Sequence, residues 1–243
     1  MENVRERYTP QSGTKFIGVT FLYMFIDLLI TAAITVGLGY LFRSLFPISQ
    51  EGMISNQFFP VYMGIMIGSF VSLLIISIWF SFSAVRGGKS LIIPFVLYAV
   101  IFGVLCSSFT MFISPATIGL AFAMTCLAFG SMALIGYFAR GNLSFLLVVV
   151  FGLLIGASLI SLTNLIWMLV ARASFQMFFW IVEFAIFGAV MLITIIDVWN
   201  IKKIAERGEA NNNLALFCAF NLYTDFINIF LRILVILARS RGN

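Results

Sequence analysis

One stretch of this chain sets an acid, a base and two amides inside an apolar run: Asn221-Leu-Tyr-Thr-Asp-Phe-Ile-Asn-Ile-Phe-Leu-Arg-Ile-Leu, ending at Leu234. Steps of four, three and four residues from Asn221 to Asp225, Asn228 and Arg232 place all four side chains on one face of a helix. Thr224 lies beside that stripe. In hydrocarbon, Asp or Arg at mid-span costs roughly 2.5–3.5 kcal/mol on insertion scales, so the stripe must face protein or water. Two roles fit it. Either it ties the helix to its neighbours and fixes packing, or its carboxylate binds a cation or proton along a path, the default for an ionisable group at membrane depth.

Other acids lie in apolar runs. Thr20, Asp27 and Thr31 share a helical face, and Asp27 either partners a basic group on another helix or belongs to a cation path. Glu183, Thr194 and Asp197 fall within about 40° of one face at roughly 100° per residue. Arg232 lies about 10 Å of helix rise beyond Asp225, too far for contact along one helix, so it needs an acid elsewhere. Glu183 matches its depth better than Asp27 does and is the preferred partner. The chain contains no histidine, which excludes Ser-His-Asp and Cys-His nucleophiles, a HExxH zinc site and a histidine switch. With no base available to a serine, an intramembrane hydrolase is disfavoured and the chain reads as a non-enzyme with no resident cofactor. Cys106, Cys126 and Cys218 sit in apolar runs at unrelated spacings, which suits buried small hydrophobes rather than disulfides or a metal site.

These side chains need a membrane-embedded frame. Of 243 residues, 62% are hydrophobic and 9% charged, against about 25% charged in a soluble domain, and the mean hydropathy is +1.12. The sequence therefore predicts an all-α, polytopic membrane helix bundle, with the lipid bilayer as its first partner. Residues 1–15 are polar and read as a cytoplasmic tail rather than a signal peptide. Residues 16–239 read as one transmembrane domain of seven spans, at about 16–42, 60–84, 91–113, 116–139, 143–170, 175–200 and 214–238. Gly64 with Gly68, and Gly152 with Gly156, form small-xxx-small pairs that predict close helix approach. Ser158, Ser161 and Asn164 form a patch able to hydrogen-bond across helices. Lys202, Lys203, Arg207 and the polar run from Gly208 to Asn213 read as the most basic loop.

The net charge of +5 comes from cations scattered singly or in pairs at the ends of apolar runs, a pattern of orientation signals and not of nucleic-acid binding. Arg5, Arg7, Lys15, Arg86, Lys89, Arg140, Lys202, Lys203 and Arg207 fall on the side of the N-terminus, and Arg43, Arg172, Arg239 and Arg241 on the other. That asymmetry predicts a multi-pass protein of the cell membrane with a cytoplasmic N-terminus. The C-terminus is external if the last run crosses fully, and internal if it is re-entrant.

Two motifs carry a resemblance. Ile195-Ile-Asp-Val-Trp-Asn-Ile-Lys-Lys203 ends the sixth span, and Asn221-Leu-Tyr-Thr-Asp-Phe-Ile-Asn-Ile-Phe230 lies in the last. With the short-looped spans, they resemble the transmembrane Bax-inhibitor-motif family, as a bacterial-type member. The family's usual Tyr before the first acid is Ile196 here. The resemblance implies six helices around a central seventh and a pH-sensitive calcium leak. It also implies that Asp197 and Asp225 form a paired-carboxylate sensor that meets calcium, and that Arg86 is the best match for a basic latch after span two.

Helix geometry alone does not bring that pair together. Asp197 lies five residues before Lys202 and Asp225 lies 11 residues into the last predicted span, so their depths differ by around 10 Å unless the intervening loop dips or the last helix starts deeper. If they meet, two carboxylates in a poorly hydrated site cannot both ionise cheaply, and calcium, which seeks oxygen ligands, competes with the proton they share. Besides a proton-modulated calcium leak, two other functions fit: a membrane regulator that binds a membrane protease or a stress or death-pathway partner, and a proton-coupled transporter.

Overall fold

The computed structural model describes residues 13–45, 59–86, 91–171, 176–207 and 211–241. Every element among them is a helix: α1 (Gly13–Leu45), α2 (Phe59–Arg86), α3 (Ile92–Ser107), α4 (Phe109–Phe112), α5 (Pro115–Phe138), α6 (Ser144–Ala171), α7 (Gln176–Arg207) and α8 (Asn212–Arg241). With α3 and α4 taken as one interrupted span, seven are long and apolar enough to cross a membrane. The chain is a multi-pass helical membrane protein. Its outward faces carry exposed Phe25, Ile75, Leu127, Val148 and Phe184, a surface that only lipid can solvate without penalty.

The ends of these helices follow local chemistry. Pro115 occupies the first position of α5, and Ser114 before it accepts the Thr117 amide through Oγ at 3.3 Å. Asn211 Oδ1 accepts the Leu214 amide at 2.8 Å, which starts α8 two residues earlier than hydropathy indicates. The third span breaks at Ser108. Ser107, Ser108 and Thr110 each turn a hydroxyl back onto the carbonyl three residues earlier, competing with the backbone ladder. The Thr110 carbonyl beside this break is taken by the Arg43 guanidinium through Nε and Nη2.

The largest departure from the predicted spans is α7, which continues past Asn200 to Arg207. Lys202 and Lys203 are helical residues, not loop. Ile201 and Ala205 bury the inner face of these extra turns, while the lysines find partners outside it. Lys202 donates to the Tyr137 carbonyl at 2.9 Å, and the Lys203 ammonium lies 3.5 Å from the centre of the Trp199 ring.

Close helix approach occurs at glycines other than the predicted pairs. A methyl on Gly103 would sit 2.8 Å from Ile34 Cβ, so this glycine lets α3 lie against α1; one on Gly136 would sit 2.6 Å from the Ile195 carbonyl, where α5 meets α7. Around Gly64, Gly68, Gly152 and Gly156 nothing among the described residues comes within 4 Å of such a methyl. Those four positions correct the expectation. Ser158 likewise bonds the Leu154 carbonyl of its own helix rather than a neighbour. Cys106 and Cys218 are buried as expected, but Cys126 is exposed.

Two compact units divide the chain: 1–119 with 204–223, and 120–203 with 224–243. In the first, Phe42, Tyr62 and Met111 form one core cluster, and Phe80 stacks on Phe220 with ring centres 4.3 Å apart. In the second, α6 packs on α7 through Val150, Ala189 and Ile196, and Phe226 meets Phe122 and Phe129. The last helix is the most enclosed element: 61% of its most apolar window is buried, against 11–39% in the other six spans. A helix so enclosed can carry polar side chains that a lipid-facing one cannot.

Candidate functional site

The polar stripe of α8 meets partners in the second unit. Asp225 is buried at 6% exposure, and the groups that act on it from α7 are the Thr194 side chain and the Asp197 carboxylate. Thr194 is fully buried and bonds the Val190 carbonyl of its own turn at 3.0 Å; Asp197 is half-buried. Asp225 Oδ2 meets no protein hydrogen-bond partner among the described residues.

The structure resolves the depth mismatch through helix lengths. Asp197 lies ten residues before the end of α7 at Arg207, and Asp225 thirteen after the start of α8 at Asn212. At 1.5 Å per residue that difference of three is about 5 Å, half the expected offset. The end of α7 is fixed further by Trp199, whose Nε1 donates at 3.0 Å to the carbonyl of Gly141 in the α5–α6 turn, where φ is 111°.

Further along the stripe, Arg232 Nη1 donates to Glu183 Oε2 at 2.7 Å. Glu183 is 4% exposed and its Oε1 has no partner among the described residues. The pair joins α7 to α8, with Arg239 lying 3.6 Å over the Phe179 ring on the same two helices. Asn228 does not cross between helices: its Nδ2 donates to the Thr224 carbonyl one turn back at 2.9 Å. Asn221 is half-buried. The proposed latch, Arg86, ends α2, and its side chain lies outside the described residues.

Among the described residues Asp27 does not gain the basic partner that was one of its two expected roles. It is fully buried, and neither carboxylate oxygen has a hydrogen-bond partner among the described residues. Near it, Tyr223 OH lies 2.7 Å from Thr31 Oγ1, a bond between residues 192 apart in the chain. Sequence reasoning missed Tyr223, because a tyrosine inside an apolar run reads as core packing. Its position two residues before Asp225, about 200° round a helix, was the available signal that the motif serves a second face.

The arrangement offers two carboxylates and a hydroxyl to a small cation. No group of three or more His, Cys, Asp or Glu side chains comes together among the described residues, so no closed multi-acid cage is built.

The family model described as "Inhibitor of apoptosis-promoting Bax1" matches residues 13–242. The chain is similar to the inner membrane protein YbhL of Escherichia coli K12, 31% identical over 160 residues that cover 60% of this chain and 62% of YbhL. It is similar also to YrjE of Lactococcus lactis, 31% identical over 174 residues, covering 66% of this chain and 67% of that relative. A protein of Borreliella burgdorferi is 31% identical over 159 residues, covering 61% and 63%. The matched region thus spans about three-fifths of the length of YbhL and of the Borreliella protein. No solved structure matches the chain.

Proposed function

From the premise that this chain belongs to the family of inhibitors of apoptosis-promoting Bax1, we propose that it is a calcium leak across the membrane whose opening is modulated by protons at Asp197 and Asp225. The observation that carries the reading is a buried Asp225 in the most enclosed span, with a second carboxylate and a hydroxyl beside it from α7. Two carboxylates facing one another in a dry site share protons as a unit, so proton occupancy and cation occupancy exclude each other.

Calcium is hard and takes six to eight oxygens in tight sites, usually from several carboxylates. Two acids hold it far less firmly, which suits a site that ions must leave as readily as they enter. The Arg232–Glu183 pair supports the same reading from the side. It engages the arginine of the stripe, so among the described residues no ion pair reaches Asp225. The excess of Lys and Arg on the connections that share a side with the N-terminus supports a cytoplasmic N-terminus.

Calcium flux into liposomes holding only the purified protein tests the function. Flux is expected, with a pH dependence that Asp225→Asn abolishes while the protein stays folded, because the amide keeps shape but cannot titrate. Asp197→Asn and Asp225→Asn should be strongly non-additive in flux, and additive effects would mean two independent groups. Absence of flux from folded protein overturns the leak and leaves a regulator acting through a membrane partner.

A further inference from the structure

We propose that Asp27, with the Thr31 and Tyr223 hydroxyls, forms a site for one monovalent cation, a proton or a sodium-sized ion, inside the first unit. Asp27, Thr31 and Tyr223 all belong to that unit, as do Tyr98 and Ala99 on the neighbouring segment of α3. The site shares no residue with the Asp197–Asp225 pair.

Each hydroxyl hydrogen near Asp27 already has a destination. Thr31 Oγ1 donates to the Ala99 carbonyl at 3.2 Å, which uses its only hydrogen. The 2.7 Å contact with Tyr223 is therefore donated by the tyrosine, and its hydrogen too is spent. Thr20, on the same face of α1, donates to the Phe16 carbonyl at 3.0 Å. The Thr31 and Tyr223 hydroxyls thus send their hydrogens elsewhere and keep only lone pairs to offer.

Asp27 is fully buried, with Thr31 one turn along the same helix face and Tyr223 close enough in α8 to feel its charge. Neither oxygen has a donor, and no charged side chain among the described residues neighbours it. The titratable groups nearest are Tyr223 from α8, with Tyr98 and Cys106 from α3 acting on that tyrosine. An ionised carboxylate there would have water, counter-charge and hydrogen bonds all withdrawn at once, a state buried acids do not sustain. A small cation removes the conflict, because it is what a carboxylate and lone-pair hydroxyl oxygens bind in common. One negative charge with neutral oxygens matches one positive charge, whereas calcium calls for more carboxylates. The Asp27 site does not depend on the leak.

The chain has three aspartates, Asp27, Asp197 and Asp225, which makes the test specific. In the Asp197→Asn/Asp225→Asn double variant, with carbon-13 confined to aspartate side chains by cell-free synthesis, every labelled carboxyl band in the infrared spectrum belongs to Asp27. In nanodiscs at neutral pH with choline as the only added cation, the label is expected at the protonated-acid position. On adding sodium chloride, a shift to the carboxylate position identifies sodium as an occupant; no shift identifies the proton alone. An ionised carboxylate in choline overturns the proposal, since it would require a protein partner that Asp27 lacks. If the double variant does not fold, the difference between the labelled wild-type chain and Asp27→Asn reads the same band.

Discussion

Glu183 and Asp27 are buried almost equally, at 4% and 0% exposure, yet their surroundings differ in kind. In the second unit, Glu183 meets a guanidinium at 2.7 Å. In the first, Asp27 has no hydrogen-bond partner among the described residues, and the Thr31 and Tyr223 hydroxyls have committed their hydrogens elsewhere. A carboxylate with a cation built into the fold is a fastener, because its charge is neutralised by a residue that cannot leave. A carboxylate without one must take its positive charge from solution. Asp225 lies between these cases: among the described residues the Thr194 hydroxyl and the charge of Asp197 act on it and no base does, and one of its oxygens has no partner. Burial alone does not separate structural acids from functional ones; the identity of the nearest donor does.

The contrast breaks most visibly at the fastener. Arg232→Gln leaves Glu183 buried and uncompensated, and Glu183→Gln strands the arginine, which is 29% exposed and so partly relieved by its surroundings. Removing one member of such a pair costs roughly 3–5 kcal/mol in soluble proteins, and less where a bilayer lets the stranded group find another partner. Each single variant should melt at a clearly lower temperature in detergent, Arg232→Gln the more so. The double variant should recover part of the loss. Losses that simply add would show the two side chains to be energetically independent, and the distinction drawn between Glu183 and Asp27 would fail.

A smaller effect sharpens the other side of the comparison. Thr31→Val keeps the shape of the side chain but deprives Tyr223 of its acceptor and the Ala99 carbonyl of its side-chain donor. A buried phenol left without a partner costs about 1–3 kcal/mol. The freed Tyr223 hydrogen can then turn to Asp27, so Thr31→Val should also weaken the hold of the site on a small cation, read as a reduced sodium response of the melting temperature. An unchanged sodium response would show that the hydroxyl chain is not what keeps donors away from Asp27.

Much of this was legible in the chain. Seven apolar runs fixed seven spans, since nothing but a helix closes all backbone hydrogen bonds within a run of about 20 apolar residues. The Glu183–Arg232 pairing was legible from depth along two antiparallel runs, because a buried guanidinium has few acids to choose from. The last two turns of α7 were hidden by Lys202, Lys203 and Arg207, whose charges read as loop although Tyr137 and Trp199 hold the two lysines on the helix. The tight glycine contacts were hidden as well: Gly103 and Gly136 are isolated in sequence, and their importance lies in Ile34 and Ile195 on other helices. Spacing along one chain cannot report such long-range meetings, and the Thr31–Tyr223 bond is the extreme case. The lack of a donor for Asp27 was illegible for the same reason, being a property of three hydroxyls on two helices.

The smallest expected effect is the most discriminating. Asp27→Asn removes a charge that no group among the described residues balances, so no bond to them is lost with it. The amide brings two hydrogens to a place where the oxygens of Thr31 and Tyr223 offer lone pairs, and it needs no cation from solution. Gain and loss are each of the order of one hydrogen bond, so stability should move by no more than about 1 kcal/mol in either direction. The sodium and pH responses of the melting temperature that belong to this site should disappear with it. That combination, near-constant stability with a lost ionic response, is what a site for a mobile cation produces. If Asp27→Asn instead destabilises the protein as much as Arg232→Gln does, Asp27 has a fixed cationic partner and is a second fastener, and the division between the two units drawn from their acids does not hold.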